Sequence, residues 1–336
     1  MSQSQPPAAD PAEAPAQTSG ARIARRALDL WSTWGIALVL LLLIALMALI
    51  APNFVSLSNA FNIMRATSIT AILAAGVTVV ILTAGIDLSV GSVLAVCGVS
   101  SVVLWNAGLP AVLCVLIPIL LGALIGLVHG TLVAYLSLAA FIVTLAGLTA
   151  WRGTAYALTG GRPLIAEGDL GFSMLGSGNF IAVPVPIWLM LATYAVLWFM
   201  LERTTWGRHV YAVGGNPEAA LMAGIKVRRV LTSVYVISGL AAGLAGAMFA
   251  ARVESGQPNS GQGYELEAIA AVVLGGTSLA GGRGRILGTL VGALIMGVLS
   301  NGMILMNTPF FTQLIVQGVV IVVAVAIDSL KNRYTR

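Results

Sequence analysis

Long apolar runs, separated by short polar segments, occupy most of this 336-residue chain. A helix that crosses a membrane needs about 20 consecutive and mostly apolar residues, and the runs have about that length. The pattern therefore predicts an all-α integral membrane protein with about ten transmembrane helices. The predicted spans lie near residues 34–51, 67–84, 88–105, 110–134, 138–158, 185–202, 230–251, 265–280, 286–306 and 311–328.

Composition agrees with this pattern, since 58% of the residues are apolar and only 9% are charged. A soluble globular protein carries about 25% charged residues, so most of this surface must face lipid instead of water. No charged segment is long enough to form a soluble domain. We therefore expect one transmembrane domain over residues 22–336.

The first 21 residues differ from the rest, because they are rich in Ala, Pro, Gln and Ser and contain no apolar run. Such a composition predicts a disordered tail over residues 1–21. The first apolar run, from Trp34 to Ala51, is longer than the core of about 7–15 residues that a cleaved signal peptide has. We expect a retained first helix, with a cleaved leader as the alternative.

Charge asymmetry predicts the orientation, since Lys and Arg accumulate on the cytoplasmic side of a membrane. With ten spans and a cytoplasmic N-terminus, thirteen basic residues fall inside and four fall outside. The inside set is Arg22, Arg25, Arg26, Arg203, Arg208, Lys226, Arg228, Arg229, Arg283, Arg285, Lys331, Arg333 and Arg336; the outside set is Arg65, Arg152, Arg162 and Arg252. Both termini are predicted to be cytoplasmic. The net charge of +5 is explained by this topology and gives no reason to expect nucleic-acid binding.

The cytoplasmic loop over residues 203–229 contains signals for a short helix. Asn216 suits the N-cap, Pro217 suits the first helical position, and Glu218 complements the positive end of the helix. Gly224 is a natural stop. A helix of about two turns is marginal alone in water, so it must pack on something. A partner protein and this protein's own cytoplasmic surface are both open as that surface.

Four segments resemble ABC importer permeases. Glu218-Ala219-Ala220, followed by Gly224 and Ile225, is similar to the coupling-helix motif of that superfamily. Three further segments resemble the monosaccharide branch of that superfamily. They are GIDLSVGS at 85–92, Gly207-Arg208 through Gly214-Gly215-Asn216, and GYELEAIAAVVLGGTSLAGG at 263–282. The likeness covers about residues 52–328. Pro217 departs from the pattern, because that loop often has Asn directly before Glu-Ala-Ala.

The resemblance implies a type II importer-like fold, in which two permeases pair around a translocation path. It implies the import of a monosaccharide, preferably ribose, from periplasm to cytoplasm across the bacterial inner membrane by alternating access. The implied partners are a second copy of this chain, a cytoplasmic ATPase and a periplasmic sugar-binding protein. The residues implied to couple to the ATPase are Asn216, Pro217, Glu218, Ala219, Ala220, Gly224 and Ile225.

The sequence predicts a transport subunit and not an enzyme. It contains no Gly-x4-Gly-Lys-Ser/Thr phosphate-binding loop, so ATP and Mg are expected on the partner ATPase and no cofactor is expected on this chain. Neither a catalytic constellation nor a metal-binding cluster is found, and Cys97 and Cys114 are expected to be buried apolar residues. A secondary sugar transporter is disfavoured, because proton coupling usually needs more ionisable groups within the bilayer.

Several residues are candidates for the transport path. Asp87 and Ser89 are predicted to cap the third span and to steady an inner gate. Arg283 and Arg285 belong to a Gly-rich turn that is a candidate contact with the ATPase. Candidate residues along the sugar path are Asn62, Arg65, Trp151, Gln257, Asn259 and Asn301. The substrate alternatives are xylose, galactose, arabinose, a sugar-like signal and a branched-chain amino acid.

Overall fold

The computed structural model describes residues 19–334, without the side chains of residues 19–34, 324 and 327–334. The regular secondary structure of the described part is helical apart from four two-residue strands. The helices are α1 (Ser19–Ile50), α2 (Leu57–Leu82), α3 (Val90–Asn106), α4 (Ala111–Tyr135), α5 (Ala140–Thr159), α6 (Met174–Ser177), α7 (Val185–Arg203), α8 (Thr205–Gly215), α9 (Pro217–Met222), α10 (Val227–Val253), α11 (Tyr264–Leu274), α12 (Ile286–Leu305) and α13 (Phe310–Tyr334).

Each of the ten predicted apolar runs coincides with a helix, but two of these helices begin well before the run. α1 begins at Ser19, within the last three residues of the predicted tail, and residues 1–18 lie outside the described part, so the tail stays a prediction. α2 begins at Leu57, where the hydroxyl of Ser56 accepts a hydrogen bond from the N–H of Asn59. Hydropathy locates the part of a helix that suits lipid, and polar turns at its end escape that signal.

Helix α11 is shorter than predicted. It has 11 residues and ends at Leu274, whereas the apolar pattern predicted a helix over residues 265–280. The chain turns at Gly276, which has a φ of +83°, a conformation that favours glycine. At 1.5 Å per residue α11 is about 16 Å long, and a hydrocarbon core is about 30 Å thick. This helix does not cross a membrane by itself.

Five described helices are long and apolar enough to cross a membrane, namely α2, α4, α7, α10 and α12. Shorter apolar helical stretches are Gly35–Ile50, Val90–Asn106 and Phe310–Val323. The fold is therefore that of a mostly helical membrane protein.

Helix α10 lies at the centre and packs against α2, α3 and α4. The contact with α4 depends on glycine, because a Cβ at Gly122 would meet the carbonyl oxygen of Gly239, and a Cβ at Gly239 would meet that of Gly122. Gly243 contacts the backbone of α4 in the same way. Small residues four apart thus let two backbones touch, which is typical of tight helix packing in lipid.

Two antiparallel strand pairs lie between the helices. β1 (Leu164–Ile165) pairs with β4 (Ser255–Gly256), and β2 (Asn179–Phe180) pairs with β3 (Val183–Pro184). The first pair joins the segment after α5 to the segment after α10, which are far apart in the sequence. These two loops therefore form one surface.

Candidate functional site

The segment from α8 to α9 contains the short helix that the sequence predicts. The side chain of Asn216 accepts a hydrogen bond from the N–H of Ala219 at 3.0 Å, Pro217 occupies the first helical position, and Glu218 lies in the first turn. Gly224 follows the helix with a φ of +81°. The predicted cap, start and stop of α9 are confirmed, although the helix has only 6 residues.

Helix α9 rests on its own protein with one face and exposes the other. Ala220 is 4% exposed and belongs to the main core, and Ile225 packs against that core. In contrast, Leu221 is 63% exposed and Met222 is 87% exposed. The predicted coupling set does not include these two apolar side chains, because the direction of each residue on so short a helix depends on how the helix packs.

Two of the segments that carry the family resemblance, 207–216 and 263–282, meet at the end of α2, directly before the third segment. The N–H of Gly282 donates to the carbonyl oxygen of Leu82 at 2.9 Å. A Cβ at Gly214, in α8, would meet both of these backbone groups. The end of α2, the end of α8 and the turn after α11 therefore form a glycine-lined junction, which places the end of α8 beside the segment between α2 and α3 (83–89), called the gate segment after its predicted role.

A tyrosine secures this junction from the side of α8. The hydroxyl of Tyr211 donates to the carbonyl oxygen of Gly284 at 3.0 Å. Burial raises the pKa of Tyr211 to about 12, with a further contribution from Glu202, so the phenol keeps its proton at neutral pH. Arg283 and Arg285 flank Gly284 and are both exposed. The predicted ATPase-side turn and the predicted coupling helix thus lie on one surface, which we call the coupling surface (205–222 and 282–285).

Asp87 lies in the non-helical segment between α2 and α3 and is 3% exposed. Its Oδ1 accepts hydrogen bonds from the N–H of Ser89 at 3.0 Å and from the hydroxyl of Ser89 at 2.6 Å. Its Oδ2 accepts from the hydroxyl of Ser238 in α10 at 2.7 Å. Both oxygens of this buried carboxylate are therefore satisfied by neutral donors, as a buried charge requires.

The hydrogen-bond chain continues through His129 of α4 to α5. The indole N–H of Trp151 points to Nε2 of His129 at 3.2 Å, and Nδ1 of His129 lies 3.3 Å from the hydroxyl of Ser89. An indole N–H can only donate, so Nε2 is the acceptor and the neutral ring carries its proton on Nδ1. His129 is 4% exposed and is held between these two partners. Trp151 lies in the middle of α5, and its place on the sugar path stays a prediction.

The capping role predicted for Asp87 and Ser89 needs correction. Ser89 occupies the N-cap position of α3, but its side chain makes no capping bond to the first turn. The hydroxyl is turned to Asp87 instead, because the charged acceptor forms the stronger hydrogen bond. The two residues bind the gate segment to α4 and α10, and their role as an inner gate stays a prediction.

The predicted sugar-path residues fall into two groups. Arg152 donates from Nη1 to the carbonyl oxygens of Pro258 at 2.7 Å and Ser260 at 2.6 Å, and so it brings α5 to the loop that carries Gln257 and Asn259. Asn301 instead exchanges two side-chain hydrogen bonds with Asn59, at 2.9 and 3.0 Å. The structure gives Asn301 a packing role between α2 and α12.

Two charged side chains near these residues each contain one buried atom without a hydrogen-bond partner in the described part of the chain. Nε of Arg65 and Oε2 of Glu265 are buried without a hydrogen-bond partner in the described part of the chain. Asn62, one turn before Arg65, is exposed. Glu265 was missed as a candidate, because an acid at the start of α11 resembles a helix-end residue in the sequence.

Metal and thiol chemistry find little support in the described residues. Among them, no group of three His, Cys, Asp or Glu side chains could hold a metal ion. Cys97 and Cys114 are free and buried, as predicted.

Comparison with known proteins gives one family match and several close relatives. The family model described as "Branched-chain amino acid transport system / permease component" matches residues 59–325. The ribose import permease protein of Escherichia coli (strain K12) is 46% identical over 299 residues, which are 88% of this chain and 93% of that protein. The ribose import permease protein of Bacillus subtilis (strain 168) is 44% identical over 299 residues, or 89% and 93% of the two chains.

A relative with another substrate is also similar, though less so. The L-arabinose transport system permease protein of Escherichia coli (strain K12) is 38% identical over 307 residues, which cover 91% of this chain and 93% of that protein. No solved structure matches this chain. A family match over most of the chain, with relatives this similar over nearly their whole length, shows that the chain belongs to the family of permease components described as the branched-chain amino acid transport system.

Proposed function

We propose that this chain is the permease subunit of an ATP-binding-cassette importer that moves ribose from the periplasm to the cytoplasm. The observation that carries the proposal is the identity of 44–46% over nearly full length to proteins named as ribose import permeases. The arabinose permease relative is 38% identical, and arabinose is therefore the second candidate substrate. The family description names branched-chain amino acids, but the relatives named above are sugar permeases.

The proposed topology has ten spans, with both termini in the cytoplasm of a bacterial inner-membrane protein. The excess of Lys and Arg in the loops assigned to the cytoplasm supports it. Because α11 has 11 residues, the eighth crossing must be completed by the non-helical residues that follow Leu274. Irregular backbone at membrane depth is tolerated where protein surrounds it, and Thr277 and Ser278 are both buried.

The proposed partners are an ATPase on the coupling surface, a second copy of this chain, and a periplasmic binding protein. The exposed side chains of Leu221 and Met222, flanked by Glu218, offer an apolar contact with a charged rim. Such a composition is typical of protein interfaces. ATP and Mg belong to the partner, and this chain carries no cofactor in the proposal.

On the opposite side, the loops after α5 and α10 are proposed to receive the binding protein. Their pairing through β1 and β4 supports a single platform, with Ile165 at 74% and Ile181 at 74% exposed. ATP binding would close the ATPase, and the coupling surface would pass this movement to the gate segment through the Leu82–Gly214–Gly282 junction. Such a switch requires that the partners bind the two states with different affinity.

The test is uptake of labelled ribose by proteoliposomes that contain this chain, its ATPase and its binding protein, with and without internal ATP. We expect accumulation that depends on ATP and is reduced by unlabelled ribose more than by arabinose, xylose, galactose or leucine. If another of these solutes blocked accumulation best, the chain would still be assigned as a permease, and that solute would replace ribose as the proposed substrate. If no ATPase assembles with the chain, a secondary transporter becomes the better explanation.

A further inference from the structure

A groove of about 630 Å³ opens beside helix α9, between the end of α4 and the start of α10. One wall is apolar and contains Val133, Leu138 and Leu231. Tyr135, the last residue of α4, is 50% exposed at the rim. A long apolar helix ends where the membrane meets water, and aromatic residues gather at that depth. The groove therefore lies at the level of lipid headgroups.

The other wall is strongly cationic. Lys226, Arg228 and Arg229 line the groove, and all three are exposed. They lie at the N-terminal end of α10, whose first turn contains no acidic residue. Because a helix N-terminus is itself positive, three cations there repel the helix dipole unless an anion is present.

The structure offers little compensation for this charge. Glu218 is the carboxylate in the lining, and among the described side chains none of the three cations forms an ion pair. Arg228 instead lies over the ring of Tyr135, with its guanidinium carbon 5.6 Å from the ring centroid. This contact holds the cation over the groove without neutralising it.

We propose that this groove binds one anionic phospholipid, with the phosphate between Lys226, Arg228 and Arg229 and an acyl chain along the apolar wall. A free phosphate would satisfy the cations but would leave the apolar wall in water. A basic pocket between helices at the headgroup level is the type of site that recognises acidic lipids. The bound phosphate would lie beside Pro217 and Glu218 of α9, so the lipid would help to position the coupling surface.

The test measures lipid binding to the purified chain by native mass spectrometry, with phosphatidylglycerol and phosphatidylcholine titrated separately. We expect a clear preference for phosphatidylglycerol. Each basic residue near an anionic surface changes the binding affinity about fivefold. The double substitution Arg228→Gln with Arg229→Gln should therefore weaken phosphatidylglycerol binding at least about tenfold. The matched control is Arg203→Gln with Arg208→Gln, which removes two exposed cations outside the groove lining and should have little effect.

A second measurement does not depend on the variants folding. A photoreactive phosphatidylglycerol should label the unmodified chain within residues 133–138 or 226–231. Equal binding of both lipids, equal loss in the control, or full displacement by inorganic phosphate would each overturn the lipid site. The lipid site would also be overturned if Arg228→Gln with Arg229→Gln kept its lipid but no longer assembled with the ATPase. The groove would then receive an acidic segment of that partner. None of these lipid measurements requires sugar transport.

Discussion

Single residues decide how the gate segment is held. The carboxylate of Asp87 is bound by hydroxyl groups from its own segment and from α10, and the chain of hydrogen bonds runs on through His129 to Trp151. The direction of each hydrogen bond in this network is fixed, because the indole N–H at one end can only donate and the carboxylate at the other end can only accept. A network of this kind is sensitive to the loss or displacement of any single member.

Two substitutions of Asp87 separate the effect of its charge from the effect of its hydrogen bonds. Asp87→Leu leaves the N–H and hydroxyl of Ser89 and the hydroxyl of Ser238 without their acceptor, and each buried unpaired group costs about 1–3 kcal/mol. We expect a large fall in melting temperature for Asp87→Leu, and for Asp87→Asn a smaller fall with strongly reduced uptake. Normal uptake by Asp87→Asn would remove Asp87 from the gate.

Two glycines of α5 provide a matched pair for the histidine. A Cβ at Gly147 would lie 2.6 Å from Nε2 of His129 and 3.3 Å from Cβ of Ser89, whereas nothing lies within 4 Å of a Cβ at Gly153. We expect Gly147→Ala to displace the imidazole and to reduce uptake and melting temperature. Gly153→Ala should match the parent or gain up to about 1 kcal/mol from helix propensity. Equal behaviour of the two variants would show that the ring position is unimportant.

At the level of elements, two helices end in the same way and frame the coupling surface. At the end of α2 the N–H of Gly85 donates to Val80 and that of Ala84 to Ile81; at the end of α11 the N–H of Thr277 donates to Val272 and that of Gly276 to Val273. This is the Schellman pattern, which stops a helix sharply. The sharp ends bring both following turns against α8.

The junction between these turns and α8 can be tested with neighbouring glycines. A Cβ at Gly214 would collide with the carbonyl oxygen of Leu82 and lie 2.6 Å from the N of Gly282, but a Cβ at Gly215 would meet open space. We expect Gly214→Ala to uncouple ATP hydrolysis from ribose uptake or to prevent stable assembly, and Gly215→Ala to retain both. The ratio of ribose transported to ATP hydrolysed is the measurement, and unchanged coupling in Gly214→Ala would contradict the role of the junction.

The exposed face of α9 gives a second test at this scale. Met222→Glu places a charge in the proposed ATPase contact, and we expect at least about a tenfold loss of ATPase binding in a pull-down. Membrane insertion and melting temperature should not change, because Met222 is 87% exposed. The matched control is Met174→Glu, at a residue that is 53% exposed on the predicted periplasmic side. If the ATPase bound Met222→Glu normally, the contact would have to lie elsewhere.

For the whole molecule, the proposed topology places α9 and the loops after α5 on opposite sides of the membrane. Cys97 and Cys114 are the two cysteines of the chain, and replacing both with Ala gives a background for labelling. In right-side-out vesicles, a membrane-impermeant thiol reagent should label Ile181→Cys directly. It should label Met222→Cys only after the membrane is opened. Labelling of both from the same side would contradict the ten-span arrangement.

The whole-molecule arrangement also shows why some sequence predictions were incomplete. The span near residues 265–280 was predicted from apolarity, but Gly275 and Gly276 stop α11 after 11 residues. Asn301 was assigned to the sugar path because it is polar, and only the fold places Asn59 opposite it. The exposure of Leu221 and Met222 was not predicted, because exposure is a property of packing and not of residue type.

The sequence by itself determined that this chain lies in a membrane, which apolar runs form helices, and how α9 begins and ends. Those features depend on apolarity and on hydrogen bonds between residues a few positions apart, which a linear pattern contains. Only the tertiary structure decided that the end of α2 and the segments at 207–216 and 263–282 share one junction, and that Ser238, Asp87, Ser89 and His129 form one network. Contacts between residues far apart in the chain depend on how the helices pack, because packing sets which side chains and backbone groups come within hydrogen-bonding distance.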